Sequence, residues 1–129
     1  MKGVHHLGLS VSDLEATRWF FCELLNWKEV KRDPSYPAIY VANDTIMFTL
    51  WQCEEGANEF NRRRNVGLHH VALEVDSEQE LNDLYEKFQQ VDNVAIEFGP
   101  TLVRDGPAKR IMCYEPSGNR IEFIWAPPN

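Results

Sequence analysis

Apolar and polar residues alternate most cleanly at two places in the chain, and the two stretches read almost alike. Residues 3–11 are Gly-Val-His-His-Leu-Gly-Leu-Ser-Val, and residues 67–75 are Gly-Leu-His-His-Val-Ala-Leu-Glu-Val. A period of two predicts a strand in each, over Val4 to Val11 and Leu68 to Val75. Alternation puts Leu7, Leu9 and Val11 on one face of the first strand, with His6, Gly8 and Ser10 on the other. In the second strand Val71, Leu73 and Val75 lie opposite His70, Ala72 and Glu74. The two copies use all four histidines of the protein. A phrase repeated this closely predicts two copies of one supersecondary unit.

After each strand the period lengthens. Ser12-Asp13-Leu14-Glu15 has the form of a capping box with Ser12 at the N-cap, and the helix it starts should run to about Leu25. Leu14, Phe21 and Leu25 form its apolar stripe, and Asn26 is its stop. In the second copy Asp76 or Ser77 caps a helix whose Leu81, Leu84, Tyr85 and Phe88 fall at i, i+3, i+4 and i+7. Short strands follow the first helix at Trp27–Val30, Ala38–Ala42 and Thr45–Trp51, and the second at Val94–Phe98, Arg110–Tyr114 and Arg120–Trp125. Gly99-Pro100 and Gly106-Pro107 signal extra loop in the second copy. The expected fold is α+β, a single domain over residues 1–129 built of two β-α-β-β-β modules, 1–52 and 67–129, joined by a polar connector, 53–66.

Bulk properties narrow the function. A length of 129 residues suits one core-forming domain, and 43% hydrophobic with 26% charged residues is ordinary globular composition. No apolar run reaches the roughly 20 residues that a spanning helix needs, and the first residues lack the apolar stretch of a signal peptide. A net charge of −7 argues against nucleic acid as a partner. Arg62-Arg63-Arg64 reads as connector surface, with steering of an anionic substrate as its functional alternative. Cys22, Cys53 and Cys113 make an odd count with no Cys-x-x-Cys, so neither a disulfide framework nor a cysteine zinc site is expected. A reducing cytoplasm is the expected compartment.

The strand faces gather the chemistry. The last strand sets Ile121, Phe123 and Trp125 against Glu122 and Ile124, so one face carries His6, His70 and Glu122, with the small Gly8 and Ala72 one pleat beyond the histidines. Two imidazoles and a carboxylate can hold a divalent ion and leave coordination positions open, the donor set of non-haem Fe(II), with Mn, Ni, Co or Zn as alternatives. His5 and His69 should point the other way, as structural or supporting residues. Met47, Thr49 and Trp51 alternate on one strand and would line a substrate pocket. Arg104, Lys109 or Arg110 could meet a carboxylate or thioester end, and Tyr40, Tyr114 or Glu74 could move protons.

The segments His6-Leu7-Gly8-Leu9-Ser10-Val11-Ser12-Asp13-Leu14, His70-Val71-Ala72-Leu73-Glu74-Val75 and Glu115-Pro116-Ser117-Gly118-Asn119-Arg120-Ile121-Glu122-Phe123 resemble the vicinal oxygen chelate superfamily, the glyoxalase/bleomycin resistance/dihydroxybiphenyl dioxygenase fold. The resemblance covers nearly the whole chain apart from the connector. It implies modules forming half-open barrels around a divalent metal held by His6, His70 and Glu122, with Glu122 also catalytic. It further implies a small-molecule substrate bound through adjacent oxygens, and a homodimer.

Subfamilies differ in what surrounds the metal. Glyoxalase I and related isomerases usually add a ligand on the last strand of the first module, and aligning Ile46-Met47-Phe48 with Ile121-Glu122-Phe123 puts Met47 there. Their glutathione-binding arginine corresponds to Ser10. The acid-base histidine of ring-cleaving dioxygenases has no counterpart between residues 99 and 112, and the threonine of fosfomycin-modifying members corresponds to Gly8. The expected function is a metal-dependent lyase or isomerase of the glyoxalase I kind. An extradiol-type ring-cleaving dioxygenase and a metal-free protein that binds an antibiotic remain as alternatives.

Overall fold

A computed structural model describes residues 1–128; the last residue of the second module, Asn129, lies outside the described part. The chain divides into two compact units, Met1–Glu59 and Phe60–Asn129. In the first, β1 (Leu7–Val11) is followed by helix α1 (Leu14–Trp19), a π-helical turn over Phe20–Leu24, and strands β2 (Lys28–Asp33), β3 (Ala38–Ala42) and β4 (Met47–Gln52). In the second, β5 (Val71–Glu74) leads to α2 (Glu78–Gln89), β6 (Ala95–Leu102), β7 (Lys109–Tyr114) and β8 (Arg120–Trp125). The β-α-β-β-β order is thus present twice. Each unit forms one four-stranded sheet, in the order β1-β4-β3-β2 and β5-β8-β7-β6, with the first and last strands of each unit parallel.

In unit 1 the apolar face of β1 is sealed as its alternation predicts, with Leu9 and Val11 buried. Phe20, Phe21, Trp27 and Phe48 pack around it, with Phe21 centred 4.9 Å from Trp27 and 5.3 Å from Phe48. Burying each such side chain contributes about 1.5–3 kcal/mol. The helical segment ends at Asn26, whose φ of 60° is the left-handed stop its residue type favours. Two details differ from the expected helix. Asp13, not Ser12, is the N-cap, its Oδ1 accepting from the Ala16 amide at 3.0 Å. The α-helix also gives way to a π turn at Phe20, where Leu25 N–H reaches the Phe20 carbonyl; both Phe20 and Phe21 are buried there, on a broader face than an ideal stripe provides.

In unit 2, Ser77 caps α2 through the Glu80 amide, and Leu81, Leu84 and Phe88 face the core with Ile111, Ile121 and Phe123. Gly99-Pro100 is not loop, as its composition suggested. It lies within β6, whose ladder with β7 is interrupted by bulges between Ile96 and Phe98 and between Phe98 and Thr101. The Tyr85 ring explains the glycine: a Cβ on Gly99 would stand 2.8 Å from Tyr85 Cζ. Among the described residues no helix is long and apolar enough to cross a membrane.

Candidate functional site

The two histidine pairs are delivered in the same way. Gly3 and Gly67, three residues ahead of His6 and His70, take φ of 138° and 146°, values that strain any residue with a Cβ. Each bend sets the pair just before its strand, since β1 starts at Leu7 and β5 at Val71 and not at the earlier residues expected. Off the ladder, alternation no longer separates neighbours. His5 and His69 therefore do not point away from their partners: His5 Nδ1 is 2.9 Å from His6 Nδ1, and His69 Nδ1 is 2.7 Å from His70 Nδ1, with the rings nearly perpendicular in both pairs.

The second face of unit 1's sheet, opposite Leu9 and Val11, is aromatic. Gly8 lies opposite Thr49 and Ser10 opposite Trp51 in the parallel ladder, while Tyr40 is Thr49's neighbour on the other side. Trp51 Nε1 donates to Thr49 Oγ1 at 2.8 Å, and the Trp51 ring meets Tyr36 and Tyr40 with centroids 5.2 and 6.1 Å away. Gly8 keeps this arrangement close to the strand, since a Cβ there would lie 3.3 Å from Thr49 Oγ1. Thr49 and Trp51 belong to one cluster, as alternation implies, and Met47 lies farther along the same strand, opposite Ala42.

Register also corrects the alignment of the copies. Ala72 pairs with Glu122 as Gly8 pairs with Thr49, so Thr49, and not Met47, occupies in unit 1 the place that Glu122 holds in unit 2. The likeness of Ile-Met-Phe to Ile-Glu-Phe misleads by two residues, an error that alternation does not reveal because it preserves the face.

The corresponding face of unit 2 is ionic. The turn before β8 is fixed by Glu115, a buried carboxylate that accepts from the Ser117 and Asn119 amides and from Asn119 Nδ2, each at 3.1 Å. This turn delivers Arg120 and Glu122 to one face. Glu122, 5% exposed, accepts from Arg110 Nη1 through Oε2 at 2.9 Å. Its other oxygen, Oε1, meets no donor among the described residues. On the same face Arg120 clasps Glu97 with a two-pronged bond, Nε to Oε1 at 3.1 Å and Nη2 to Oε2 at 2.7 Å. Tyr114 O–H donates to Glu97 at 2.6 Å, and Arg62 Nη1 donates to the Tyr114 oxygen at 2.9 Å. These contacts, led by the Arg120 bond, hold the Glu97 carboxyl down to about 2.

Arg120 also reaches the histidine pair of this unit. Its Nη1 lies 3.4 Å from His69 Nδ1, a long contact to which the guanidinium can only donate. The 2.7 Å contact between His69 Nδ1 and His70 Nδ1 needs a proton on one of the two nitrogens, and it holds the His70 ring through Nδ1. Loss of hydration, aided by the Arg120 charge, lowers the His69 pKa and favours its neutral form. A ligating imidazole characteristically donates its second nitrogen to a neighbour, and each histidine of the pair has such a neighbour in the other. With Ala72 small beside Glu122 and one carboxylate oxygen open, His70 and Glu122 suit a divalent cation chemically.

His70 and Glu122 lie in unit 2 and His6 in unit 1. Among the described residues no three His, Cys, Asp or Glu side chains are grouped as a ligand set. Of the other sequence candidates, Lys109 pairs with Glu78, Arg104 and Glu74 are exposed, and Tyr114 is engaged by Glu97. Burial raises the Cys22 thiol and pushes Cys113 up to about 12, which suits neither for nucleophilic work. Arg120 and Glu97 were missed as site residues. The Arg120-x-Glu122 spacing shows a shared face in the sequence, but the bulges in β6 hide the position of Glu97.

The family model for the glyoxalase/bleomycin resistance protein/dioxygenase superfamily matches residues 3–123, both copies included. The chain belongs to this superfamily. Among curated proteins, an uncharacterized Bacillus subtilis protein, YqjT, is 36% identical over 90 residues, which cover 65% of this chain and 67% of YqjT. A glyoxylase/bleomycin resistance protein/dioxygenase domain from Frankia sp. EAN1pec superposes with a TM-score of 0.83 at 21% identity, over 98% of this chain and 99% of that one. A lactoylglutathione lyase from Agrobacterium tumefaciens gives a TM-score of 0.74 at 17% identity, over 97% and 94%. At such identities the solved structures share the fold.

Proposed function

We propose that this superfamily member is a divalent-metal-dependent enzyme that holds a small substrate through two adjacent oxygens, with His6, His70 and Glu122 as the metal ligands. The observation that carries the reading is the preparation of two of these residues. The His70 ring is held by His69 through Nδ1, which leaves Nε2 outside that contact, and Glu122 spends only Oε2 on Arg110. His6 enters through the repeat, from this chain or from a second copy in a homodimer.

A cation bound there would act as a Lewis acid on the substrate's neighbouring oxygens. The chain's own residues do the rest. Arg110 orients Glu122 and His69 holds the His70 ring, while within unit 1 the Trp51, Tyr36 and Tyr40 rings form an aromatic face. The favoured reaction class is lyase or isomerase chemistry of the glyoxalase I kind, with Glu122 as the group that accepts and returns a proton. One observation supports ring-cleaving dioxygenase chemistry as a second reading. Thr49 stands where a first-module carboxylate would be, which leaves two histidines and one glutamate as the donor set.

Metal analysis of the purified protein after loading tests the proposal. About one ion per chain is expected, falling at least tenfold in His6→Ala, His70→Ala and Glu122→Gln. Undiminished uptake in the last two variants would remove the site. Retention of Fe(II) over Zn or Ni would select the dioxygenase reading.

A further inference from the structure

Arg110 stands out on the ionic face because its bonding is incomplete. Nη1 is spent on Glu122 Oε2, while Nε is buried with no acceptor among the described residues. The guanidinium carbon lies 5.4 Å from the centre of the Phe98 ring, so an aromatic face supports the fork. The position belongs to the second copy alone. Arg110 pairs with Ile124 in the ladder as Ala38 pairs with Trp51, so the equivalent place in unit 1 holds alanine, and the arginine is not a requirement of the scaffold.

A buried carboxylate needs a cationic partner, and Glu122 has one already. A divalent ion on the same carboxylate puts like charges side by side, which weakens the hold of each cation on Glu122. A guanidinium released from part of that bond has its planar edge available, and its natural complement is a two-oxygen anion. We propose that Arg110 is an exchangeable partner of Glu122: it holds the carboxylate in the metal-free protein and, once metal binds, takes a carboxylate group of the substrate. Metal and oxyanion binding are thereby coupled, and the substrate class narrows to small acids with a carboxylate beside the chelating oxygens. This inference rests on the metal reading of the preceding subsection.

The test uses Mn(II) binding followed by electron paramagnetic resonance, with oxalate and catechol as probes. Both probes offer adjacent oxygens, but only oxalate keeps further carboxylate oxygens for a guanidinium. Arg110→Met is expected to bind Mn(II) about tenfold more tightly than the unsubstituted protein, because a competing cation is gone. Its Mn(II)-loaded form is expected to lose at least tenfold in oxalate affinity, with catechol affinity changed less than threefold. Arg110→Lys keeps the charge without the fork, so it should bind Mn(II) as the parent does and still lose oxalate; it decides the question if the methionine variant does not fold.

Equal or weaker Mn(II) affinity in Arg110→Met, with Glu122→Gln devoid of metal, overturns the exchange while leaving the metal site intact. Equal loss of oxalate and catechol in both Arg110 variants overturns the carboxylate role. Mn(II) binding that is indifferent to Glu122→Gln ends the metal reading, and this inference with it.

Discussion

A glycine with no room for a methyl group controls how α2 meets its sheet. The Tyr85 ring occupies the space where a Gly99 Cβ would project, 2.8 Å from Cζ, in a strand already bent by its bulges. Gly99→Ala should cost about 1–3 kcal/mol, the usual range for overpacking. The same substitution in a Tyr85→Ala background should cost much less, and urea unfolding of the four-member cycle measures the coupling. Equal costs in both backgrounds would show that the ring is not the constraint. Residue types made some of this legible: Asn26 stopped a helix and the repeated phrase placed four histidines. Closeness of packing was not legible, because Gly99-Pro100 has the composition of a turn whether or not a tyrosine lies across it.

Among the elements, β6, β7 and β8 are linked by charge as well as by their ladders. Glu97 on β6 holds Arg120 on β8 and Tyr114 on β7, and Tyr114 in turn takes a bond from Arg62 in the polar segment before β5. A carboxyl whose folded value lies near 2, against an ordinary 4.5, contributes its full stabilisation above about pH 4.5 and loses it as the pH falls towards 2. Urea midpoints measured between pH 6 and pH 2 should therefore decline more steeply below 4.5 in the parent than in Glu97→Gln. Parallel curves would mean that the clasp contributes nothing. Alternation assigned the faces of β1, β5 and β8, because a period of two survives small errors in strand ends. It did not give register: the sequence match of Met47 with Glu122 kept the face and missed the partner, which is Thr49.

For the molecule as a whole, charge and strand order bear on assembly. Within its own unit, each of β1 and β5 is an edge strand, with one side of its backbone unpaired by that sheet. Natural proteins cover such edges, and a second copy of the chain is the partner that the homodimer proposal supplies. A net charge of −7 discourages indiscriminate association, so assembly should stop at a defined size. Sedimentation equilibrium at tens of micromolar is expected to return twice the 15.0 kDa chain mass. A monomer of that mass that still binds metal would show that one chain is sufficient.

The matched ladders of the two units leave their side chains free to differ. The two halves differ on corresponding sheet faces, which carry Trp51 and Tyr40 in one and Arg110 and Glu122 in the other. Mutation can reshape the aromatic half without disturbing the ionic half, so the two faces are free to diverge separately.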